Sequence, residues 1–241
     1  MIQNLHIYKS PEELAEAFAN QLMNWVSNFT GNAFHLAISG GKTPNMLFTV
    51  LSQKQAGSNL WQKVHFWWVD ERMVPPDDPE SNFGTAYRLL FSQIILPEEN
   101  IHRIKGENDP EAEALSYSQQ IQQNLTSQNG WPTFDLILLG MGDDGHTASI
   151  FPNQMHLIDS KRTCEVAVNP QSGQKRVTLP GSLINQAMKV CFMVTGFSKA
   201  DRMAEIWDNK RKASLLPASH IHPVSGSLAW YVDQTAVELL V

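Results

Sequence analysis

One stretch constrains this chain more than any other: Phe134 to Pro152, FDLILLGMGDDGHTASIFP. Its first six residues are apolar except for Asp135, the pattern of a buried strand bounded by turn residues. Gly140 and Gly142 then open a tight turn. Two adjacent acids, Asp143 and Asp144, precede Gly145 and His146, and a helix is expected to start at Thr147. A strand, a glycine turn and a helix start put His146 at the carboxyl edge of a sheet. Open α/β sheets bind their ligands at that edge. His146 is therefore the candidate for chemistry.

The same pattern recurs along the chain. Ser10-Pro11-Glu12-Glu13 carries helix-start signals, and Leu14, Phe18, Leu22 and Trp25 continue at helical spacing to about Asn28. Ala33 to Ile38 is an apolar strand running into Ser39-Gly40-Gly41-Lys42-Thr43-Pro44. There Thr43 is expected to cap a helix with Pro44 as its first residue. Val64 to Val69 is a strand ending in Asp70-Glu71-Arg72. Ser81-Asn82 and Asp109-Pro110 start two further helices, with a short strand around Ile101 to Ile104 between them. Ser127 to Thr133 is a turn-rich connection. Glu165 to Val168 and Val190 to Thr195 are strands. Helices are expected from Pro180 to about Met188 and from Ser198 to Trp207. Ser227 to Val232 is the last strand, with Asp233 capping a final turn. Strand–helix alternation of this kind specifies an α/β fold, a Rossmann-like, mostly parallel sheet with helices on both faces. The alternation crosses every connection, so residues 1–241 are read as a single domain.

Composition narrows the function. The 241 residues carry a formal net charge of −6 and no run of Lys or Arg, which argues against nucleic acid as a partner. Cys164 and Cys191 sit in apolar runs without metal-type spacing, as expected of core thiols in a reducing compartment. No metal site is expected. The first ten residues lack the basic and apolar regions of a signal peptide, and no apolar run approaches a membrane span of ~18 residues. A cytoplasmic protein with no membrane partner is expected.

Three motifs follow strands and so meet on one sheet edge: SGGKTP, DER and GDDGH. The diglycine turn lets backbone N–H groups approach an anion at a helix N-terminus. It is neither a Walker A loop nor GxGxxG, so a nucleotide is not indicated. Arg72 can fork onto a phosphate or carboxylate. Asp70 can orient a sugar hydroxyl or a histidine. A helix N-terminus would help keep His146 neutral and basic, while Asp143 and Asp144 pull the other way, one of them fixing its tautomer. No Ser or Cys sits on a GxSxG-type elbow. Direct attack by water, assisted by a general base, is the simplest chemistry left. The residues alone stop at hydrolysis or isomerisation of a small phosphorylated molecule.

The motifs resemble those of the 6-phosphogluconolactonase family, within the superfamily that also holds glucosamine-6-phosphate isomerase/deaminase. The residues that match are Ser39 to Pro44, Asp70-Glu71-Arg72 with Val74 and Ser81-Asn82, Gly140 to Pro152, and Arg176 to Leu179. They occur in family order and span nearly the whole chain. The resemblance implies a NagB-like fold and hydrolysis of 6-phospho-D-glucono-1,5-lactone, the second step of the oxidative pentose phosphate pathway, without a metal or other cofactor. It implies His146 as the base, Arg72 as a substrate contact, and Gly40 and Gly41 as the phosphate loop. Candidate catalytic residues are thus His146, Asp144 and Asp70. Candidate substrate and phosphate contacts are Ser39, Gly40, Gly41, Lys42, Thr43, Arg72, Lys175 and Arg176. The chain departs from the family at Lys42, where Ser is commoner, and at Gln171, where a lysine is expected. Lys175 or Arg176 is expected to take over that lysine's role.

Two alternatives differ in class. The isomerase/deaminase branch carries a DEY-type motif where this chain has Arg72, and would need Asp70 as a proton abstractor. A non-catalytic sugar-phosphate sensor would carry a helix-turn-helix upstream, and here the first helix is expected at Pro11.

Overall fold

The computed structural model describes residues 4–208 and 211–240. Its centre is a seven-stranded, all-parallel sheet. The strands are β1 (Leu5–Tyr8), β2 (Phe34–Ile38), β3 (Val64–Trp68), β5 (Ile101–His102), β8 (Leu136–Leu139), β11 (Lys189–Val194) and β12 (Ser227–Asp233), in the order β1-β12-β11-β8-β2-β3-β5. All five residues of β2 and all four of β8 are buried. Such strands need both sheet faces covered, which is why they read as continuous apolar runs. The single acid of the β8 run, Asp135, lies just before the strand and accepts the His35 N–H at 2.8 Å.

Six helices complete the layers: α1 (Pro11–Asn28), α2 (Lys42–Gln55), α3 (Asn82–Leu89), α4 (Pro110–Asn124), α5 (Gly181–Ile184) and α6 (Ala200–Trp207). α1 packs on α2 and β12, and α2 also on α3. The caps are local. Ser10 accepts from the Glu13 N–H, Ser81 from the Gly84 N–H, and Asp109 from the N–H groups of Glu111 and Ala112. Among the described residues, no helix is long and apolar enough to cross a membrane.

A second, three-stranded sheet lies beside the first: β4 (Asp70–Arg72), β10 (Lys175–Thr178) and β9 (Glu165–Val168), paired antiparallel in the order β4-β10-β9. β6 (Ser127–Gln128) and β7 (Trp131–Pro132) make a minimal hairpin in the turn-rich connection. The core is dominated by Trp61, Trp67, Trp68, Trp230 and Tyr117. Tyr117 satisfies its buried hydroxyl by accepting from the Trp68 N–H and donating to the Trp68 carbonyl, at 2.8 and 3.1 Å.

Three sequence expectations change, and DER forms a short strand of its own because β10 pairs with it. α2 starts at Lys42 with Gly41 as its cap, at φ +111, and Thr43 lies inside the first turn. The helix expected from Pro180 to Met188 shortens to α5. No helix starts at Thr147. That segment is a tight turn closed by the Ile150 N–H to Thr147 carbonyl bond, with Ala148 at φ +49, and a 3-10 helix follows at Pro152–Ile158. A left-handed residue cannot continue a right-handed helix. His146 therefore gains nothing from a helix dipole.

Candidate active site

The central strand β8 delivers the GMGDDGH segment to the carboxyl edge of the sheet. Loops from its two neighbours, β2 and β11, flank it. Thr43, in the first turn of α2, and Thr195, just after β11, join hydroxyls at 2.7 Å. The β4–β10 sheet adds its side chains from a third direction. These segments enclose a cavity of about 670 Å³.

The loop after β8 is folded around His146. The Gly142 N–H donates to the His146 carbonyl at 2.9 Å, and the Gly145 N–H to the Gly142 carbonyl at 3.0 Å. Gly142 must be glycine, since a Cβ there would lie 2.1 Å from His146 Nδ1. Asp144 Oδ1 accepts from the His146 N–H at 3.1 Å and lies 2.6 Å from His146 Nδ1. Burial acts to raise the Asp144 carboxyl, but the hydrogen bond and charge of His146 outweigh it, and the group is held below its ordinary value. An ionised Asp144 accepts a hydrogen bond from Nδ1–H, which leaves the lone pair of a neutral imidazole on Nε2. Nε2 has no hydrogen-bond partner among the described residues, and His146 lines the cavity. The ring also packs on Phe151, with centroids 4.8 Å apart.

The acids of DER have separate tasks. Asp70 lines the cavity, but its carboxylate accepts from Ser149 Oγ at 2.6 Å and faces Arg176 Nη1 at 3.8 Å, rather than His146. Glu71 is buried and accepts from the N–H groups of Arg72, Asn82 and Phe83 and from the Ser81 hydroxyl. It is a helix anchor. Burial pushes its carboxyl above the usual range, against those hydrogen bonds.

Arg72 and Arg176 stand directly opposite each other in the β4–β10 register, and both line the cavity. Arg72 Nη1 donates to the Glu80 carbonyl, and the Nε of each arginine is buried without a partner. Burial lowers the Arg176 guanidinium from its ordinary value, Asp70 opposes that, and Arg72 adds to it. The Arg176 guanidinium lies 5.7 Å from the Phe151 ring centroid. Phe151 thus touches both His146 and Arg176.

Of the residues singled out from sequence, Ser39, Gly40, Gly41, Lys42, Thr43, Asp70, Arg72, His146 and Arg176 line one cavity. Asp144 sits behind His146. Ser39 turns its hydroxyl away, donating to the Leu138 carbonyl at 2.8 Å. Lys175 is exposed and is not on the cavity wall. Its carbonyl accepts from the Met73 N–H. Sequence reasoning missed Lys199. This lysine lines the cavity from the β11 side, and its Nζ lies 2.5 Å from Asp143 Oδ1. Its signal was the strand–glycine–helix pattern at Val194 to Ala200, the same pattern as SGGKTP.

An open parallel sheet with a histidine–carboxylate pair, a glycine loop and several cations at its carboxyl edge defines a small-anion enzyme site. The family described as glucosamine-6-phosphate isomerases/6-phosphogluconolactonase matches residues 9–230. A 6-phosphogluconolactonase of Haemophilus influenzae is 44% identical over 207 residues, covering 86% of this chain and 87% of that protein. The solved structure of a devB protein superimposes with a TM-score of 0.94 at 40% identity, covering 99% of each chain. A 6-phosphogluconolactonase from Trypanosoma cruzi superimposes with a TM-score of 0.88 at 26% identity, covering 99% of this chain and 97% of that one. The chain belongs to the glucosamine-6-phosphate isomerase/6-phosphogluconolactonase family.

Proposed function

We propose that this protein is a 6-phosphogluconolactonase, which hydrolyses 6-phospho-D-glucono-1,5-lactone to 6-phosphogluconate. The observation that carries the reading is the Asp144–His146 pair, 2.6 Å apart, with Nε2 left unengaged at a cavity wall. His146 Nε2 takes a proton from water as the water oxygen attacks the lactone carbonyl. Asp144 keeps the ring in the required tautomer and stabilises the imidazolium that forms. The carbonyl oxygen becomes an alkoxide and is met by the positive field of Arg176, while Arg72 contacts the substrate. Collapse of the tetrahedral intermediate breaks the ring C–O bond. The ring oxygen leaves as the sugar hydroxyl, taking the proton back from His146. The Gly40–Thr43 backbone and Lys199 take the phosphate.

Asp70 argues against the isomerase branch. A proton abstractor needs a free carboxylate, and Asp70 is engaged by Ser149 and Arg176. The test compares His146→Ala with the native protein in a rate assay corrected for spontaneous lactone hydrolysis. Loss of roughly 10²–10⁴ in kcat is expected for a missing general base. Near-native kcat removes His146 as the base. Release of ammonia from glucosamine 6-phosphate by the native protein would overturn the reading as a whole.

A further inference from the structure

The two acids of GDDGH face opposite ways. Asp144 serves His146. Asp143 Oδ1 accepts from Lys199 Nζ at 2.5 Å and from Ser198 Oγ at 2.9 Å. All three residues line the cavity. One carboxylate oxygen therefore sits where a cation and a hydroxyl converge, as an oxygen of a bound anion would. The hydrogen bond from Lys199 holds the Asp143 carboxyl below its ordinary value, so it is an anion at neutral pH.

We propose that Asp143 is a resident anion that occupies the phosphate contacts of the free enzyme, so that substrate must displace it. This rests on Lys199 being a phosphate ligand. The displacement is easy by construction. The Asp143 side chain is 70% exposed, so swinging it into water loses little packing. Its backbone is held separately, because Arg202 Nε donates to the Asp143 carbonyl at 3.3 Å. The carboxylate can leave while the loop stays, and the His146 geometry beside it is kept. The consequence is selectivity. Free inorganic phosphate must compete with an intramolecular anion using a few contacts only. A sugar phosphate adds the contacts of its ring and displaces the carboxylate more readily.

The experiment is a calorimetric titration of inorganic phosphate into the native protein, Asp143→Asn, Lys199→Ala and the double variant. Asp143→Asn should bind phosphate at least about threefold more tightly, and Lys199→Ala about tenfold more weakly. In the Lys199→Ala background the Asp143 substitution should have no effect, since the contact it relieves is gone. Glu12→Gln controls for bulk charge, because Glu12 lines the cavity without touching Lys199. Its effect should vanish at 0.5 M salt while that of Asp143→Asn persists. Tighter binding that survives in the double variant, or Asp143→Asn binding no tighter than native, overturns the resident anion while leaving Lys199 as the phosphate ligand. Unchanged binding by Lys199→Ala overturns both.

Discussion

Gly40 and Asn82 approach so closely that a Cβ on Gly40 would lie 1.8 Å from Asn82 Oδ1. Asn82 is the first residue of α3, and its Nδ2 donates to the Asp70 carbonyl at 3.0 Å. The glycine loop after β2 and the DER strand after β3 are thus locked together through one amide side chain. Gly40→Ala should expel that amide and shift the loop. We expect a loss of about 1–3 kcal/mol in stability from overpacking and a broken buried hydrogen bond, seen in urea unfolding. KM should rise while His146 keeps its place. A variant with native stability and native KM would show that the loop and α3 are independent.

Asp144→Asn probes the tautomer. An amide can present its NH2 or its carbonyl to Nδ1, so the proton is no longer fixed there. We expect kcat to fall by roughly 10²-fold or more, with KM little changed. A variant with native kcat would separate Asp144 from His146.

Arg72→Ala and Arg176→Ala should differ. Arg72 is a substrate contact in the proposed reading, and its loss should act chiefly on KM. Removal of Arg176 also leaves Asp70 without its cation and Phe151 without the guanidinium beside it. That variant should lose both kcat and stability. Steady-state kinetics with thermal unfolding of each variant reads the split, and equal effects in both would contradict the geometry.

Away from the site, His35, His65 and His102 form a row at the amino end of the sheet. His65 Nδ1 lies 3.0 Å from His102 Nε2, and Trp67 Nε1 donates to His35 Nδ1 at 3.1 Å. Burial, with their mutual charges, pushes His35 and His102 down to about 4. In the unfolded chain they titrate near the ordinary 6.5, so between those values the unfolded state holds more protons. Stability is therefore present above about pH 6.5 and is lost as pH falls towards 4. For buried His35 the loss is on the order of 2–3 kcal/mol. Thermal midpoints followed from pH 7 to 4 should fall, and His35→Gln should flatten the slope.

Glu71 accepts from four donors in DER, α3 and the Ser81 cap. Glu71→Gln keeps the shape but turns an NH2 group towards N–H donors. A loss of about 2–3 kcal/mol is expected, the penalty of unsatisfied buried polar groups. An unfolding midpoint unchanged in urea would mean that solvent reaches those donors.

The sequence made local signals legible and left the non-local ones hidden. Ser10, Asp109 and Asp233 act within a few residues of themselves, and each caps as expected. The edge strand β1, LHIY, is too short to show a pattern of its own. Its partner β12 lies at the other end of the chain. DER has no apolar alternation, and only pairing with residues about a hundred positions later makes it a strand. The turn at Ala148 escaped for the opposite reason. Alanine is a strong helix former, and nothing local announces a positive φ there. The site motifs were legible because glycines, acids and a histidine cluster after apolar runs. Lys199 follows the same strand–glycine–helix pattern, but a single glycine stands there in place of the pair that marks SGGKTP.

The shared ring of Phe151 has a consequence for turnover. On the proposed mechanism, the imidazolium formed when His146 takes a proton from water would lie against the same Phe151 ring that the Arg176 guanidinium faces. Two cations that share one small apolar surface repel. In that cycle Asp144 would make the protonated ring tolerable and Arg176 would keep it from becoming a resting state. The proton would thereby be urged onward to the departing ring oxygen, and the base regenerated within the cycle that used it.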